Sequence, residues 1–231
     1  MGKMSYQERL LSCYQSVVQV EKLIQYNMYK GEYVYLRLFE PDDYEKTYYW
    51  HNDYDLMNTT CGMFRFVSKE IERKWVSSKA ENNQRDIYLA ICAIENDEMI
   101  GWYSISNIDY INRKCLCSGV VIGDKRYRDG YAYQEAGDLA FCYIINELNM
   151  HRISGSCLKE QALSRAVMEA SYWTLEGIER QTVYKNGVYH DIYHYAILKE
   201  EYLEHLYKGD YDNLPLKIAQ AVKRIRKELK Q

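Results

Sequence analysis

The sequence predicts a single α/β (α+β) domain in which a largely antiparallel sheet is flanked by helices. Three observations predict it: the order of the apolar patterns, a strong hairpin signal at Asn186-Gly187, and only two prolines with no Gly/Ser-rich linker in 231 residues. Alternating apolar runs indicate strands, and three- and four-residue spacing indicates helices. The order strand, two helices, three strands, helix, strand, helix, hairpin is typical of such a mixed fold.

The front half of the chain has a local signal for each element. Apolar residues at helical spacing over 5–27 predict an amphipathic leader helix, which ends before Gly31 within an N-terminal extension, residues 1–31. Pro41, followed by two aspartates, favours a helix start after the first strand. The predicted elements are a strand at 32–39, a helix to about residue 51, a helix at 68–79, and strands at 87–93 and 99–105.

The back half is dominated by one helix and one hairpin. Ala136, Leu139 and Ala140 begin an apolar repeat that continues to Leu148 and predicts a long helix. An Asn-Gly pair between two apolar runs favours a two-residue hairpin turn. The predicted elements are this helix, a strand at 153–158, a helix over 163–170, and hairpin strands at 183–185 and 188–198.

The stretch 120–132 looks like a diphosphate cradle. An apolar run is followed by a basic turn and then by a Gly-x-Ala start of the long helix. The first amides of a helix lack intrahelical partners and lie at the positive end of its dipole, so they favour a phosphate. Gly130 would let this backbone approach closely, and Arg126 and Arg128 could neutralise a diphosphate. The same residues also fit a strand, a basic loop and a helix start without any ligand.

Composition argues against several classes of protein. Thirty Lys and Arg against thirty-three Asp and Glu give a net charge of -3, which argues against a general nucleic-acid binder. Seven cysteines without a C-x-x-C pair predict neither a disulfide framework nor a metal site, and they favour a reducing, cytoplasmic location. We expect no transmembrane segment and no secretion signal, because no apolar run is long enough.

The last segment, residues 204–231, is predicted to be a basic amphipathic helix. Ile218, Val222, Ile225 and Leu229 form an apolar stripe, and lysines and arginines dominate the rest of the surface. Such a helix could lie on a membrane or on acidic RNA. Packing on the leader helix or on a second subunit is the expected use, which makes a homodimer through the terminal helices an expectation.

These features together resemble the GNAT superfamily of acyl-CoA-dependent N-acyltransferases, and most closely its branch of ribosomal-protein alanine and polyamine acetyltransferases. The resemblance implies a GNAT-like domain over residues 32–203, with a twisted sheet whose fourth and fifth strands splay apart. Besides the cradle, it depends on Leu36-Arg37-Leu38-Phe39-Glu40-Pro41-Asp42-Asp43, Ile100-Gly101, Leu148-Asn149-Met150-His151-Arg152-Ile153, Ser164, Glu169, Glu176-Gly177, Arg180 and Asn186-Gly187-Val188-Tyr189-His190-Asp191.

The resemblance also implies how acetyl-CoA would bind. Its pyrophosphate would rest on the amides that open the long helix, and its pantetheine arm would pair with the backbone of the preceding strand. Tyr127 stands where the family usually has Gln or Arg, and Gln161 stands where it has Asn. The implied cofactor-binding residues are Val120, Val121, Ile122, Arg126, Tyr127, Arg128, Asp129, Gly130, Tyr131, Ala132, Gln161 and Ser164.

The general base is the least determined part of the implied site. Many relatives place a Glu on the fourth strand, where this chain has Leu116 and Cys117. Asp109, Asp191 and Glu160 remain as candidates, acting directly or through water. Of these we predict Asp191.

The acid that protonates the leaving thiolate is predicted to be Ser164. Relatives use either this serine or a Tyr four residues later, and that later position is Met168 here. Tyr172 follows one turn after Met168 and completes the predicted catalytic set.

The acceptor is predicted to be an amine, bound by the first two helices and the hairpin. Aromatic rings with carboxylates suit a polyamine, a peptide N-terminus or an amino sugar, although a solvated acidic helix face shows the same pattern. The expected function is direct acetyl transfer from acetyl-CoA to a primary amine; the alternative is a catalytically degenerate module that binds acyl-CoA or a partner. The implied acceptor residues are Tyr49, Trp50, Asp53, Tyr184 and Tyr189.

Overall fold

The computed structural model describes residues 30–81, 84–128 and 130–230, so the predicted leader helix and Asp129 lie outside the described residues. The helices and strands follow the predicted order closely. They are β1 (Val34–Leu38), α1 (Tyr44–His51), α2 (Tyr54–Asn58), α3 (Lys69–Glu81), β2 (Ile87–Ala93), β3 (Met99–Asp109), β4 (Lys114–Ile122), α4 (Tyr131–Asn146), β5 (Arg152–Leu158), α5 (Ala162–Ala170), β6 (Thr174–Lys185), β7 (Val188–Leu198), α6 (Lys199–Tyr207) and α7 (Leu214–Glu228).

The strands form one sheet in the order β1-β2-β3-β4-β5-β7-β6, which confirms the predicted mixed fold. Every neighbouring pair is antiparallel except β4 and β5, which are parallel. The β4–β5 register runs only from the Lys114–Arg152 pair to the Cys117–Gly155 pair. Beyond it both strands continue without pairing to each other, so the predicted splay is confirmed.

Helices cover both faces of the sheet and bury two separate cores. On one face, Ala136, Ala140 and Ile144 of α4 pack into the larger core. On the other face, Trp50 of α1 and Val76 of α3 pack with strand residues into the smaller core. None of the described helices is long and apolar enough to span a bilayer.

The C-terminal segment differs from the single helix that was predicted for residues 204–231. It contains the end of α6 and then α7, which begins only at Leu214 after a loop. The apolar stripe of α7 packs on α5 of the same chain, where Ile225 is fully buried against Ala162 and Ala166. Helix α5 of the same chain therefore covers part of this stripe, whereas the leader helix lies outside the described residues and a homodimer through the terminal helices stays a prediction.

Gly101 in β3 is required by the close approach of β4. A Cβ built at Gly101 would lie 2.1 Å from the carbonyl oxygen of Val121, which is backbone and cannot move aside. Gly137 in α4 offers a matched control, because a Cβ there would meet nothing within 4 Å.

We expect Gly101→Ala to lower the free energy of unfolding by about 1–3 kcal/mol or more, as overpacking does. Gly137→Ala should raise it by about 0.5–1 kcal/mol, because alanine restricts the unfolded chain and favours helix. Urea titration followed by circular dichroism measures both changes. Equal unfolding midpoints for the two variants would contradict this interpretation of the β3–β4 contact.

Candidate active site

A cleft of about 2220 Å³ opens where β4 and β5 diverge. Its walls include residues 116–122 of β4, Ser156 and Leu158 of β5, and residues of α4, α5 and α7. It also reaches His51, Trp75 and Trp102 on the side of the sheet that α1 and α3 cover. The gap in the sheet is thus continuous with pockets on both faces.

The cradle lies at one end of this cleft. Gly130 precedes α4 with a φ of 100°, a left-handed conformation that suits glycine, and its carbonyl accepts the Gln134 amide at 3.0 Å. The amides of the first turn of α4 therefore have no intrahelical acceptor. Gly130 and Tyr131 line the cleft, as do Val120, Val121 and Ile122, whereas the Ala132 side chain is buried beneath the turn.

In the basic turn, the side chains of Arg126, Tyr127 and Arg128 bind different partners. Arg128 lines the cleft, and its guanidinium donates to the carbonyls of Ile122 (2.9 Å) and Gly123 (2.8 Å), which fixes the end of β4 to the turn. Arg126 does not line the cleft, because Asp124 and Glu98 hold its guanidinium at 2.7 and 2.8 Å.

Tyr127 is also directed away from the cleft. Its hydroxyl donates to Glu95 at 2.5 Å and accepts from the Asn96 amide at 3.1 Å. The sequence prediction placed Arg126 and Tyr127 on the cofactor, and the structure instead uses both to attach the turn to the β2–β3 loop. Arg128 is the basic side chain of this turn that lies at the cleft.

Gln161 lines the cleft but uses its amide group to hold the chain together. Its Oε1 accepts the Leu158 amide at 2.7 Å, and its Nε2 donates to the Thr59 carbonyl. Its cofactor contact stays a prediction, because, among the described residues, one N–H of the amide is still free to donate into the cleft. Gln161 ties the start of α5 to the loop that follows α2.

Of the predicted catalytic residues, only Ser164 lies at the cleft. It is half-buried in the first turn of α5. The Asp191 carboxylate instead accepts the Gln181 amide at 2.9 Å at a bulge of the hairpin, and it does not line the cleft. Tyr172 lies beyond the C-terminal end of α5, where its ring stacks on His205 with centroids 4.0 Å apart.

The predicted acceptor residues do not line the cleft. Trp50 is 8% exposed and packs under Gly123, where a Cβ would lie 2.1 Å from its indole ring. Asp53 caps α2 by accepting the Leu56 amide at 3.1 Å, and this bond lowers the pKa of its carboxyl. Tyr49 is exposed on α1, and the exposed rings of Tyr184 and Tyr189 contact each other on the hairpin.

Lys185 is the first cleft residue that the sequence analysis missed. Its ammonium donates to the carbonyls of four residues at the end of α2 and in the loop that follows, at 2.6–3.3 Å, and its burial lowers its pKa. The acceptor residues are Met57, Asn58, Thr60 and Gly62. This contact fixes the loop to the hairpin, and nothing in the spacing of the sequence indicates it, because the partners are backbone atoms over 120 residues away.

Two histidines at the cleft carry carboxylate partners. His51 Nδ1 lies 2.8 Å from Glu72 Oε1, and Glu72 is only 1% exposed. His190 Nδ1 lies 3.2 Å from Glu160 Oε2, while its Nε2 lies 3.2 Å from the Lys185 carbonyl. Among the described residues, neither His190 Nδ1 nor His51 Nε2 has a hydrogen-bond partner.

A family model for the acetyltransferase (GNAT) domain matches residues 34–171. The chain belongs to the GNAT family. This assignment makes it an acetyl-CoA-dependent acyltransferase, and it agrees with the curated relatives. One of these, a probable N-acetyltransferase YjcK of Bacillus subtilis, is 27% identical over 75% of this chain and 98% of its own length.

Solved structures show the same fold. A spermidine N-acetyltransferase from Vibrio cholerae in complex with CoA and spermine superposes with a TM-score of 0.67 at 20% identity, covering 75% of this chain and 99% of that one. A RimL ribosomal L7/L12 alpha-N-protein acetyltransferase in complex with coenzyme A superposes with a TM-score of 0.65 at 22% identity, covering 75% and 98%.

The residues present fit acetyl-CoA. The side of β4 that faces β5 lacks a paired strand beyond Cys117, so it can accept an extended amide-containing arm. The α4 amides at the end of this gap suit a diphosphate. Arg128 adds positive charge at the same end.

Proposed function

We propose that this GNAT protein transfers the acetyl group of acetyl-CoA directly to a cationic primary amine. The proposal is based on one cleft. It joins the first amides of α4, the gap between β4 and β5, and a pocket lined by aromatic rings. Trp75, Tyr88 and Trp102 line that pocket. Acetyl-CoA, when bound, supplies the activated thioester, and the amine approaches from the aromatic side of the sheet.

The charge and rings of the pocket support a cationic acceptor. Asp55 and Glu160 line the same cleft and are exposed, and aromatic faces attract ammonium groups. Lys185 lies nearby, but its charge is directed at the loop carbonyls. The RimL and spermidine acetyltransferase structures suggest a peptide N-terminus and a polyamine as acceptors to test, and an amino sugar is the third.

The raised pKa of Cys117, the cysteine at the gap, supports direct transfer without an acyl-enzyme intermediate. Burial raises the pKa of the Cys117 thiol to about 11, and its Sγ lies 2.7 Å from the Tyr103 hydroxyl. A thiol with such a pKa has little thiolate at neutral pH, so it is a poor acyl carrier. The acceptor amine itself is then the nucleophile.

We propose His51 as the general base in place of the predicted Asp191. Because the buried Glu72 carboxylate accepts the Nδ1 hydrogen, the neutral ring presents Nε2 as a base. His51 Nε2 would take a proton from the acceptor ammonium.

We propose Ser164 as the proton donor to the departing thiolate. It stands in the first turn of α5, on the same side of the cleft as the end of β5. Together, His51 and Ser164 would place a base and an acid at opposite ends of the reacting group.

One experiment distinguishes this enzymatic function from the alternative, a catalytically degenerate module that only binds acyl-CoA or a partner. We expect free CoA to be released from acetyl-CoA in the presence of an amine panel that contains spermidine, peptides with free N-termini and glucosamine. A thiol-reactive dye measures the release, and mass spectrometry locates the acetyl group. Binding of acetyl-CoA by calorimetry without release for any acceptor would favour the binding module.

His51→Gln should lower kcat/KM for the amine by about 100-fold or more at neutral pH, because glutamine can donate to Glu72 but cannot accept the proton. The KM for acetyl-CoA should stay unchanged. His194→Gln is the control, because His194 is exposed and pairs with Glu179 outside the cleft. An unchanged kcat/KM in the His51 variant would exclude this base.

Ser164→Ala should lower kcat by about 10- to 100-fold while binding of acetyl-CoA changes little, because only the transition state uses the donated proton. Ser171→Ala removes a hydroxyl at the other end of α5, away from the cleft, and should be neutral. Steady-state kinetics with an acceptor from the panel gives both values. Full turnover without the Ser164 hydroxyl would refute the assignment.

A further inference from the structure

Helix α7 forms one wall of the cleft. The family model ends at residue 171, well before α7. The spermidine acetyltransferase structure is covered almost completely by 75% of this chain, so about a quarter of the chain has no counterpart in it. The cleft-lining residues of this segment are Leu214, Pro215, Ile218, Ala219, Val222, Lys223, Arg226 and Leu229.

The position of α7 is fixed by contacts with α5. Lys217 Nζ lies 3.3 Å from the Tyr172 hydroxyl, Arg224 pairs with Glu169 at 2.5 Å, and Arg165 lies 3.5 Å from Glu228. As residue numbers rise along α7 they fall along α5, so the helices are antiparallel. The C-terminal half of α7 therefore lies beside the start of α5, which is the end that carries Ser164.

Some basic side chains that line the cleft already donate hydrogen bonds to protein carbonyls, and others do not. Arg128 donates to two carbonyls, and Lys185 donates to four. Lys223 and Arg226 are exposed and line the cleft, and neither makes an ion pair or a hydrogen bond with another described residue. An anion near α7 would meet two positive charges that no other residue in the described part of the chain neutralises.

We propose that Lys223 and Arg226 bind the phosphomonoester of the acetyl-CoA nucleotide, its 3′-phosphate. This inference rests on the proposed placement of acetyl-CoA in the cleft. The α4 amides suit the diphosphate, which leaves the monoester as the remaining concentrated negative charge of the molecule. Arginine can bind a phosphate with two parallel hydrogen bonds, and lysine adds a point charge. Helix α7 is then a cofactor-recognition element added to the GNAT domain.

The test compares CoA with 3′-dephospho-CoA, using calorimetry on the full chain. The wild-type protein should bind CoA at least about 10-fold more tightly than dephospho-CoA, because charge-assisted hydrogen bonds are lost with the phosphate. The double variant Lys223→Ala/Arg226→Ala should weaken CoA binding by a similar factor and leave dephospho-CoA binding unchanged. Lys227→Ala/Lys230→Ala is the control, because it removes two charges from exposed positions that do not line the cleft.

The negative results of this test distinguish failure of the phosphate-binding inference from failure of the proposed function. Equal affinity of the wild-type protein for both ligands would overturn the inference and leave the proposed function standing. Equal losses in the control and in the double variant would also overturn it, since a general electrostatic effect would then explain the affinity. No binding of either ligand by the wild-type protein would contradict the proposed function itself. Lys223→Gln/Arg226→Gln, which keeps long polar side chains, replaces the alanine variant if its melting curve shows unfolding.

Discussion

The structure depends on the early end of pairing between β4 and β5. After the Cys117–Gly155 pair the two strands separate, and a sheet that is otherwise continuous acquires an opening. Unsatisfied strand backbone is costly to bury without partners, so the opening has to meet solvent or a ligand with its own amides. The helices on both sides of the sheet leave this opening uncovered, which joins the cradle to the aromatic pocket.

Polar side chains hold the loops around this opening with backbone hydrogen bonds. Gln161 and Lys185 both bind carbonyls of the loop after α2, although one comes from α5 and the other from the hairpin. Arg128 does the same for the end of β4. The acceptors in these contacts are backbone carbonyls at the mouth of the cleft. The side chains of the loop after α2 can therefore vary while the loop stays attached to α5 and the hairpin.

The elements were predictable from the sequence pattern and the gap from the family resemblance, but the direction of individual side chains was not. Periodicity and the Gly-x-Ala helix start have local causes, so they could be recognised without the fold. Whether Arg126 or Arg128 faces the cleft depends on Glu98, a residue of another loop that comes close only in three dimensions. For the same reason the sequence does not show that Gly123 packs against the ring of Trp50.

Helix α4 is attached to the start of the sheet by a side chain that protects backbone amides from solvent. The Glu135 carboxylate, one turn into α4, accepts the amides of Glu32, Tyr33 and Val34 at 2.7–2.8 Å. A side chain of the cradle helix, and not a neighbouring strand, therefore shields these three amides. These amides exchange their hydrogens with water when their bonds to Glu135 open, so their exchange rates report, from outside the cleft, how firmly α4 is attached to the beginning of β1.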